Sequence, residues 1–262
     1  MASKRSRKPA VEQLGHVDQD AVFAHMARPD AYDPEPETVE RVDTHAAVVF
    51  LAGPFAYKVK RAVKFPYLDF STREKRHAVC LREVEINRRT APDIYLGVVP
   101  IAMTTGRGLE IDGAGTPIEW AIRMRRFDEE KLFDRLAGGG ELPLEMMTAL
   151  AGEIVALHGG ERALRSIDGA AQMERVVKPL LKSLARGSSV LDAQEVAGLA
   201  KDLRRELRTQ AGLLRDRARQ GFVRHCHGDL HLQNIVRIDG SPVLFDAIEF
   251  DDRIATIDML YD

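Results

Sequence analysis

Residues 225–234 read HCHGDLHLQN, and the interpretation of this stretch decides the fold and function expected for the rest of the chain. Three histidines, one aspartate and one asparagine lie within its ten residues. Such a cluster fits a metal site, a phosphoryl-transfer loop, or a polar turn in which buried histidines are hydrogen-bonded beside a strand. The spacing of the polar residues, and of their partners elsewhere in the chain, distinguishes these interpretations.

As a metal site, the stretch follows the pattern H-x-H-x-D-x-H at His225, His227, Asp229 and His231. This is similar to the H-x-H-x-D-H run of the metallo-β-lactamase-like hydrolases, but Leu230 separates the aspartate from the last histidine. A zinc centre takes three or four protein ligands, and no histidine follows in the sequence. The zinc hydrolase therefore remains an alternative that the pattern disfavours.

Read as H-G-D-L-x-x-x-N from His227, the stretch resembles the catalytic loop H-R-D-L-x-x-x-N of the protein-kinase-like superfamily. With glycine in place of arginine, it is most similar to the aminoglycoside phosphotransferase family of small-molecule kinases. The resemblance implies that Asp229 accepts the proton of the attacking hydroxyl or orients it, and that Asn234 binds Mg²⁺. We group His227 with Asp229 as a residue of the catalytic loop that holds the loop rather than reacts.

A second carboxylate is needed to hold the metal, and Asp246 follows Asn234 at a distance of twelve residues. The pair Asp239-Gly240 between runs rich in valine and isoleucine predicts a β-hairpin that delivers this aspartate. The resemblance assigns Asp246 as the counterpart of the aspartate in the kinase motif D-F-G. Two protein oxygen ligands, completed by phosphates and waters, are typical of Mg²⁺.

Upstream, a kinase-like fold needs a strand lysine for the α- and β-phosphates of ATP. The sequence FAYK at residues 55–58 is similar to the kinase strand motif V-A-I-K, which makes Lys58 the candidate. Lys60 lies on the same face of the predicted strand and is the second choice. A solvated strand lysine is the alternative interpretation of either residue.

The lysine also needs a glutamate on the following helix, which offers Glu83 and Glu85. Three arginines surround Glu85 at helical spacing, a pattern typical of surface ion pairs. Apolar neighbours at positions 79, 80 and 86 place Glu83 on an inward face. We therefore expect Glu83 to pair with Lys58.

The remaining nucleotide contacts are assigned by order along the chain. The sequence has no G-x-G-x-x-G loop, so the turn at residues 43–46 is expected to cover the phosphates with its backbone amides and the Thr44 hydroxyl. Backbone groups around Arg123 are expected to meet the adenine edge. No A-P-E motif follows Asp246, which argues against a regulated protein kinase.

The predicted fold is α+β: a two-lobed protein-kinase-like fold with an N-terminal antiparallel sheet, one inserted helix, and a mostly helical C-terminal lobe. We expect a disordered basic tail at residues 1–16, an N-lobe at 17–127 and a C-lobe at 128–262. The C-lobe carries the catalytic loop at 225–234 and the metal-binding hairpin at 235–250. Its helices are predicted at 129–136, 144–158, 170–186 and 193–220. An apolar stripe on the last of these is interpreted as a core face.

Composition narrows the functional classes. The chain has 262 residues with a net charge of −2, which does not demand a nucleic-acid partner, and the basic run at residues 4–8 is read as a solvated tail. No apolar run has the length of a membrane span. Two cysteines without a C-x-x-C motif suit a reducing compartment, so we expect a cytoplasmic protein.

Over residues 38–262 the sequence most resembles bacterial aminoglycoside-phosphotransferase-like proteins that are often fused to a C-terminal P-loop ATPase domain. The stretches FLAGPFAYKVKRAV, LDFSTREKR and APDIYLGVVPI carry this resemblance. It implies ATP and Mg²⁺ as cofactors, a small-molecule hydroxyl acceptor and a fused or partner ATPase domain. The final DMLYD reads as the start of a helix that the family continues, so we expect a truncated C-lobe.

Two questions stay open at the level of sequence. The acidic residues Glu249, Asp251 and Asp252 favour a cationic acceptor such as an amino sugar, or else surround the metal or face solvent. The function of the chain is either catalytic or that of a pseudokinase-like nucleotide-binding module that regulates a fused or partner ATPase.

Overall fold

The structure is a computed structural model that describes residues 18–187 and 191–262. The basic tail predicted at residues 1–16 lies outside the described residues. The chain divides into two compact units. The first comprises the described residues up to 80 together with 96–126, and the second comprises 81–95 together with 127–262.

The first unit is built on a six-stranded sheet whose observed strand pairs are antiparallel, as expected from the sequence. In chain order the elements from residue 18 to 126 are α1 (Gln19–Met26), β1 (Val39–Asp43), β2 (Ala47–Ala52), β3 (Phe55–Lys60), β4 (Lys64–Phe65), β5 (Leu68–Asp69), α2 (Arg73–Asn87), β6 (Tyr95–Thr104), β7 (Gly108–Ile111) and β8 (Thr116–Arg125). Of these, the part of α2 from residue 81 onward and the first residue of β6 belong to the second unit. The strand order in the sheet is β1-β2-β3-β8-β6-β7, while β4 and β5 form a separate ribbon. Helix α2 is the predicted inserted helix.

The turn between β2 and β3 forms at Gly53 and Pro54. Gly53 has φ +55° at the first central position of a two-residue loop, a conformation that glycine adopts without steric cost. The loop sets the register in which Val49 pairs with Lys58. On its other side Lys58 pairs with Ile122 of β8, so this lysine lies in the middle of the sheet.

Helix α1 covers one face of the sheet. Asp18 caps it by accepting a hydrogen bond from the backbone N–H of Asp20. Val22, Phe23 and Met26 are spaced on one side of the helix and are buried in a core with the apolar residues of β2, β3, β6 and β8. This burial fixes the helix on the sheet.

A buried ion pair ties α2 to β8 within the first unit. The Arg76 guanidinium donates to both carboxylate oxygens of Glu119, at 2.6 to 3.1 Å, and to the carbonyl oxygen of Phe70 at 2.9 Å. Both side chains are at least nine-tenths buried. Gln19 adds a hydrogen bond to Glu119 at 3.0 Å, so the carboxylate is well satisfied.

The N-terminus of α2 is capped by Thr72 rather than by the preceding serine. Ser71 and Glu74 have the spacing of a capping box, but the Ser71 hydroxyl binds the carboxylate of Asp69 at 2.5 Å. The Thr72 hydroxyl instead accepts a hydrogen bond from the backbone N–H of Lys75 at 3.3 Å. Thr72 therefore caps the helix, because Asp69 competes for the serine.

The second unit is mostly helical. After α2 its elements are α3 (Phe133–Gly138), α4 (Leu144–Gly160), α5 (Gly169–Arg186), α6 (Ala193–Gln220), β9 (Val223–His225), β10 (Ile235–Ile238), β11 (Ser241–Leu244), α7 (Asp252–Ala255) and β12 (Thr256–Asp258). Its apolar core joins α3 and α4 to the β10–β11 hairpin through residues such as Phe133, Leu150, Ile235 and Leu244. The hairpin thus rests on the helices that precede it.

The helix predicted at residues 129–136 is interrupted. A 3-10 turn at Glu129–Lys131 is followed by Leu132 in an extended conformation, and only then does α3 begin. The backbone of Leu132 forms a β-bridge with Val236 of β10, which a continuous helix would prevent. Pairing with the hairpin therefore overrides the local helical pattern.

The apolar stripe of α6 is less buried than a core face. Leu199 is 47% exposed, and Leu203, Leu207 and Leu214 are only half-buried. Helix α6 is 28 residues long and packs mainly along α5, and one neighbouring helix cannot cover the whole stripe. The interpretation as a core face is wrong for Leu199, and the stripe is the seam of a helix pair.

The β10–β11 hairpin forms at the predicted turn. Asp239 and Gly240 have φ +49° and +82°, and two positive φ values define the hairpin turn that Asp-Gly favours. Within residues 18–187 and 191–262, no helix is both long enough and apolar enough to cross a membrane.

Candidate functional site

The loop at residues 225–234 is held at both ends by regular structure. It begins at β9, which pairs with β12, and ends in a 3-10 turn at Leu232–Asn234 that leads directly into β10. The His231 side chain accepts a hydrogen bond from the backbone N–H of Gln233 at the start of this turn. The conformation of the loop is thus determined by a strand, a capped turn and a hairpin.

The structure brings Asp229 and Asn234 together. The Asn234 amide nitrogen donates to the carbonyl oxygen of Asp229 at 2.8 Å and approaches its carboxylate at 3.4 Å. Asn234 is buried, whereas the Asp229 carboxylate is 56% exposed, with His231 Nε2 at 3.5 Å. The loop therefore presents one accessible carboxylate above a fixed amide.

His227 is the buried centre of the loop. Its Nε2 lies 2.9 Å from the carbonyl oxygen of Phe245, which can only accept, so the proton is on Nε2. Its Nδ1 then accepts the backbone N–H of Asp229 at 3.4 Å. Burial lowers the pKa of the imidazole below its ordinary value. Both ring nitrogens are thus engaged by the backbone of the loop and of the hairpin.

Asp246 is brought to the same imidazole. The hydrogen bond to Phe245 and the nearby carboxylates of Asp262, Asp246 and Asp229 all act to raise the His227 pKa, although burial outweighs them. The backbone N–H of Phe245 donates to the carbonyl oxygen of Asn234 at 3.0 Å. The hairpin therefore places Phe245, the residue before Asp246, against the backbone of Asn234.

The sequence analysis missed Asp262. Its buried carboxylate accepts the backbone N–H groups of His227 and Gly228, at 2.8 and 2.7 Å, and the Nε2–H of His158 at 3.0 Å. Burial alone would raise the pKa of this carboxyl, but these hydrogen bonds outweigh it and the pKa is lowered. Asp262 therefore anchors the first half of the loop as an anion. Nothing in the spacing of DMLYD signals this role.

One group of side chains in the described part of the chain, His158, Cys226 and Asp262, has the mutual spacing of metal ligands. Its chemistry does not fit a metal, because three donors already occupy the oxygens of Asp262. Burial raises the pKa of the Cys226 thiol to about 12, so the thiolate that a metal requires is disfavoured.

The histidine pattern of the zinc alternative is not assembled by the fold. His225 lies 3.3 Å from a carboxylate oxygen of Asp252, while His227 points to a backbone carbonyl and His231 to Asp229. Three histidines with three different partners do not form one coordination sphere. The geometry disfavours the hydrolase interpretation.

The acidic residues near the hairpin have structural partners. Asp251 caps α7 and pairs with Arg253 at 2.8 Å, which lowers the pKa of its carboxyl. Asp252 pairs with Arg82 at 3.1 Å, and Glu249 is buried. These contacts weaken the case that the three residues select a cationic acceptor.

The two candidate glutamates of α2 differ as their neighbours predicted. Glu83 is fully buried, and the Asn87 side chain donates to its carbonyl oxygen at 3.0 Å. Glu85 is 69% exposed and pairs with Arg82 at 2.8 Å. Burial therefore favours Glu83 as the residue with an internal role.

The two candidate lysines lie on β3. Lys58 is half-buried in the middle of the sheet, and Lys60 is only 4% exposed. The Lys60 ammonium lies 5.4 Å from the ring centre of Phe70, a cation–π distance. The carbonyl oxygen of Lys60 accepts a hydrogen bond from Gln19 at 2.7 Å. Lys60 thus has structural partners within the first unit, and Lys58 is the more accessible of the two.

The two other residues assigned to the nucleotide have local roles in the first unit. The Thr44 hydroxyl exchanges hydrogen bonds with the backbone of Ala47, at 2.9 and 3.0 Å, and so closes the β1–β2 turn. Arg123 lies inside β8 opposite Tyr57, and β8 has neighbouring strands on both sides. Its side chain lines a cavity of about 960 Å³ bordered by α1 and β7. That cavity lies wholly within the first unit and contains none of the loop residues.

Comparison with curated proteins found mycobacterial relatives. The chain is 29% identical over 226 residues to Uncharacterized protein Rv2004c of Mycobacterium tuberculosis and, with the same identity, to Uncharacterized protein Mb2027c of Mycobacterium bovis. Each match covers 84% of this chain and 43% of the relative. The chain therefore spans less than half the length of the curated relatives it matches. No protein-family model matches the chain.

Proposed function

We propose that the chain is an ATP- and Mg²⁺-dependent phosphotransferase with a two-lobed protein-kinase-like fold, similar to the aminoglycoside phosphotransferases. It transfers the γ-phosphoryl group of ATP to a hydroxyl group of a small molecule. One observation carries the proposal. The side-chain amide nitrogen of Asn234 donates to the carbonyl oxygen of Asp229, and the backbone carbonyl oxygen of Asn234 accepts the N–H of Phe245, the residue before Asp246. The three residues that the chemistry requires are thereby linked.

Asp229 acts on the acceptor. The acceptor oxygen bonds to the γ-phosphorus while the bond from that phosphorus to the bridging oxygen of ADP breaks, and the hydroxyl proton passes to Asp229. Its carboxylate is exposed enough to meet a substrate, and its backbone is fixed by His227 and Asn234. Position and orientation are what this reaction needs from the protein.

The oxygens of Asn234 and Asp246 fit a hard divalent cation. Asn234 uses its amide nitrogen on Asp229, and within the described residues its Oδ1 has no hydrogen-bond partner. An amide oxygen and a carboxylate are ligands that Mg²⁺ accepts. When bound, Mg²⁺ neutralises charge on the phosphates. The two side chains would hold it, while buried His227 and Asp262 keep the loop in place.

The first unit would supply the phosphate contacts. Lys58 is the residue that we assign to the α- and β-phosphates, because it is more accessible than Lys60. The assignment of Thr44 receives little support, because its hydroxyl and its backbone N–H are both bonded to Ala47. The assignment of Arg123 to the adenine edge receives little support from its place inside β8.

The direct test measures ADP formation by the purified full-length gene product with Mg²⁺ and a panel of amino sugars, sugars and other alcohols. Replacing Asp229 by Asn should reduce turnover by roughly 10²- to 10⁴-fold, the usual contribution of a positioned acid–base group. The matched control is Asp239→Asn, because that aspartate lies in a hairpin turn where asparagine is equally suited. Equal turnover in both variants would contradict the catalytic role of Asp229.

A second candidate function is a nucleotide-binding module that regulates a fused or partner P-loop ATPase. The observation that favours it is length, because 57% of each curated relative lies outside the match, as follows from the 43% that is covered. This function predicts Mg²⁺-dependent ATP binding without acceptor-dependent ADP formation. It also predicts that Asp229→Asn leaves nucleotide affinity and ADP formation unchanged.

A further inference from the structure

The residue assigned as metal ligand, Asp246, has a strained backbone. Its φ is +61°, in the left-handed region that residues other than glycine adopt only in special surroundings. It lies outside any helix or strand, just after β11. A conformation of this kind persists only where neighbouring groups determine it. The contacts of residues 245–248 should therefore identify what holds the carboxylate in place.

Four consecutive backbone N–H groups in this segment have an acceptor. The loop at residues 225–234 provides two of the acceptors. The N–H of Phe245 donates to the carbonyl oxygen of Asn234, and the N–H of Ile248 donates to the carbonyl oxygen of His227, both at 3.0 Å. These bonds fix the two ends of the segment. They do not fix the peptides on either side of Asp246.

Side chains from α2 and the start of β6 provide the other two acceptors. The N–H of Asp246 donates to the Tyr95 hydroxyl at 3.2 Å, and the N–H of Ala247 donates to Asn87 Oδ1 at 2.8 Å. Tyr95 and Asn87 are both fully buried. Their positions are therefore fixed by packing, as a geometric support requires.

Asn87 links the segment to the turn of α2 that carries Glu83. Its amide nitrogen donates to the carbonyl oxygen of Glu83 at 3.0 Å and approaches that of Ala247 at 3.5 Å. The buried Asn87 side chain thus contacts the backbone of Glu83 and the backbone of Ala247, the residue after Asp246. A hydrophobic side chain at this position would leave the N–H of Ala247 without an acceptor.

We propose that Tyr95 and Asn87 are positioning residues that hold the Asp246 carboxylate in its metal-binding orientation. They do not touch substrate or metal, and they act through the backbone of Asp246 and Ala247. The inference rests on the proposed function, because it presumes that Asp246 binds Mg²⁺. Residues that orient a metal ligand typically change metal affinity by about 10- to 100-fold when they are replaced.

The test uses Tyr95→Phe, which removes one oxygen and keeps the buried ring. In the full-length protein we expect the Mg²⁺ concentration for half-maximal ADP formation to rise by at least about fivefold, below the usual range because one hydrogen bond is removed. The KM for the acceptor should stay unchanged. Asn87→Ala should act in the same direction, and Tyr261→Phe, at an exposed tyrosine, is the matched control.

A second readout does not depend on turnover. ATP affinity is measured with Mg²⁺ and with EDTA, and Tyr95→Phe should weaken only the binding with Mg²⁺. Wild-type protein that binds ATP equally under both conditions overturns the proposed function itself. Wild-type protein that needs Mg²⁺, combined with a Tyr95→Phe variant of unchanged Mg²⁺ dependence, overturns the positioning role alone. A Tyr95→Phe variant whose ATP affinity falls by the same factor with Mg²⁺ and with EDTA also overturns the positioning role alone.

Discussion

The side-chain amide of Asn234 donates a 2.8 Å hydrogen bond to the carbonyl oxygen of Asp229, five residues earlier in the chain. This bond uses the nitrogen of the amide and leaves its oxygen for another ligand. The same residue can therefore close the loop and hold a cation. The five-residue spacing is explained by this geometry, because the 3-10 turn at Leu232–Asn234 directs the chain back over Asp229.

Under the proposed function, Asn234→Ala should raise the Mg²⁺ concentration for half-maximal ADP formation by roughly 10- to 100-fold, since it removes a proposed ligand and the closure of the loop. Gln233→Ala is the matched control, because its side chain is exposed and adjacent. A Mg²⁺ titration of both variants makes the comparison. Equal Mg²⁺ dependence in the two would argue that Asn234 has only a structural role.

Asp262→Asn should destabilise the second unit. An amide offers one acceptor oxygen, so its NH₂ group would face at least one of the N–H donors of His227 and Gly228. Leaving buried hydrogen-bonding groups unsatisfied costs about 1–3 kcal/mol each. We expect the free energy of unfolding to fall by about 2–4 kcal/mol in urea denaturation followed by circular dichroism.

The control for this measurement is Asp239→Asn, at the exposed turn, which should change the free energy of unfolding by less than about 0.5 kcal/mol. If Asp262→Asn were equally neutral, the carboxylate would not be the anchor of residues 227 and 228. The prediction concerns folding only and holds whether or not the chain is an enzyme.

Local patterns predicted the elements of the site well. The Asp239-Gly240 turn and the burial of Glu83 follow from turn chemistry and helical spacing. Each depends on residues close together in sequence. Within the six-stranded sheet, β1–β2, β2–β3 and β6–β7 are likewise joined by short turns, whereas the pairing of β3 with β8 is long-range.

Long-range contacts account for what the sequence did not predict. Asp262 binds a loop that lies more than thirty residues away, and Asn87 binds Ala247 across 160 positions. Neither partner carries a local signal. The break at Leu132 has the same origin, because its bridge to β10 is visible only once the hairpin is placed.

Protonation of His227 should make stability depend on pH. Burial lowers its pKa in the folded state below the ordinary value near 6.5, so the unfolded chain binds the proton first as the pH falls. The contribution of neutral His227 to the free energy of unfolding is therefore complete above about pH 6.5 and is lost progressively below it. Folding free energies measured between pH 7.5 and 5 should show this slope.

His25 and His77 also have lowered pKa values, with burial as the first cause, so the variant His227→Gln isolates one contribution. Glutamine can replace the Nε2–H donor to Phe245 without titrating. In this variant the slope of the unfolding free energy against pH should be smaller by up to about 1.4 kcal/mol per pH unit, the value for one proton. An unchanged slope would show that His227 is not the neutral scaffold.

The buried pair Arg76–Glu119 should behave differently when one or both partners are replaced. Arg76→Met leaves the Glu119 carboxylate buried without its main donor, which should cost about 3–5 kcal/mol of unfolding free energy. The double variant Arg76→Met/Glu119→Leu buries no charge at this place, so its loss of unfolding free energy should be smaller than that of Arg76→Met alone.

Trp120, the single tryptophan of the sequence, adjoins Glu119 and reports unfolding of the first unit by fluorescence. The exposed pair Arg205–Asp202 gives the control, because Arg205→Met should cost less than about 1 kcal/mol. Additive losses in the double variant would contradict a direct coupling between Arg76 and Glu119.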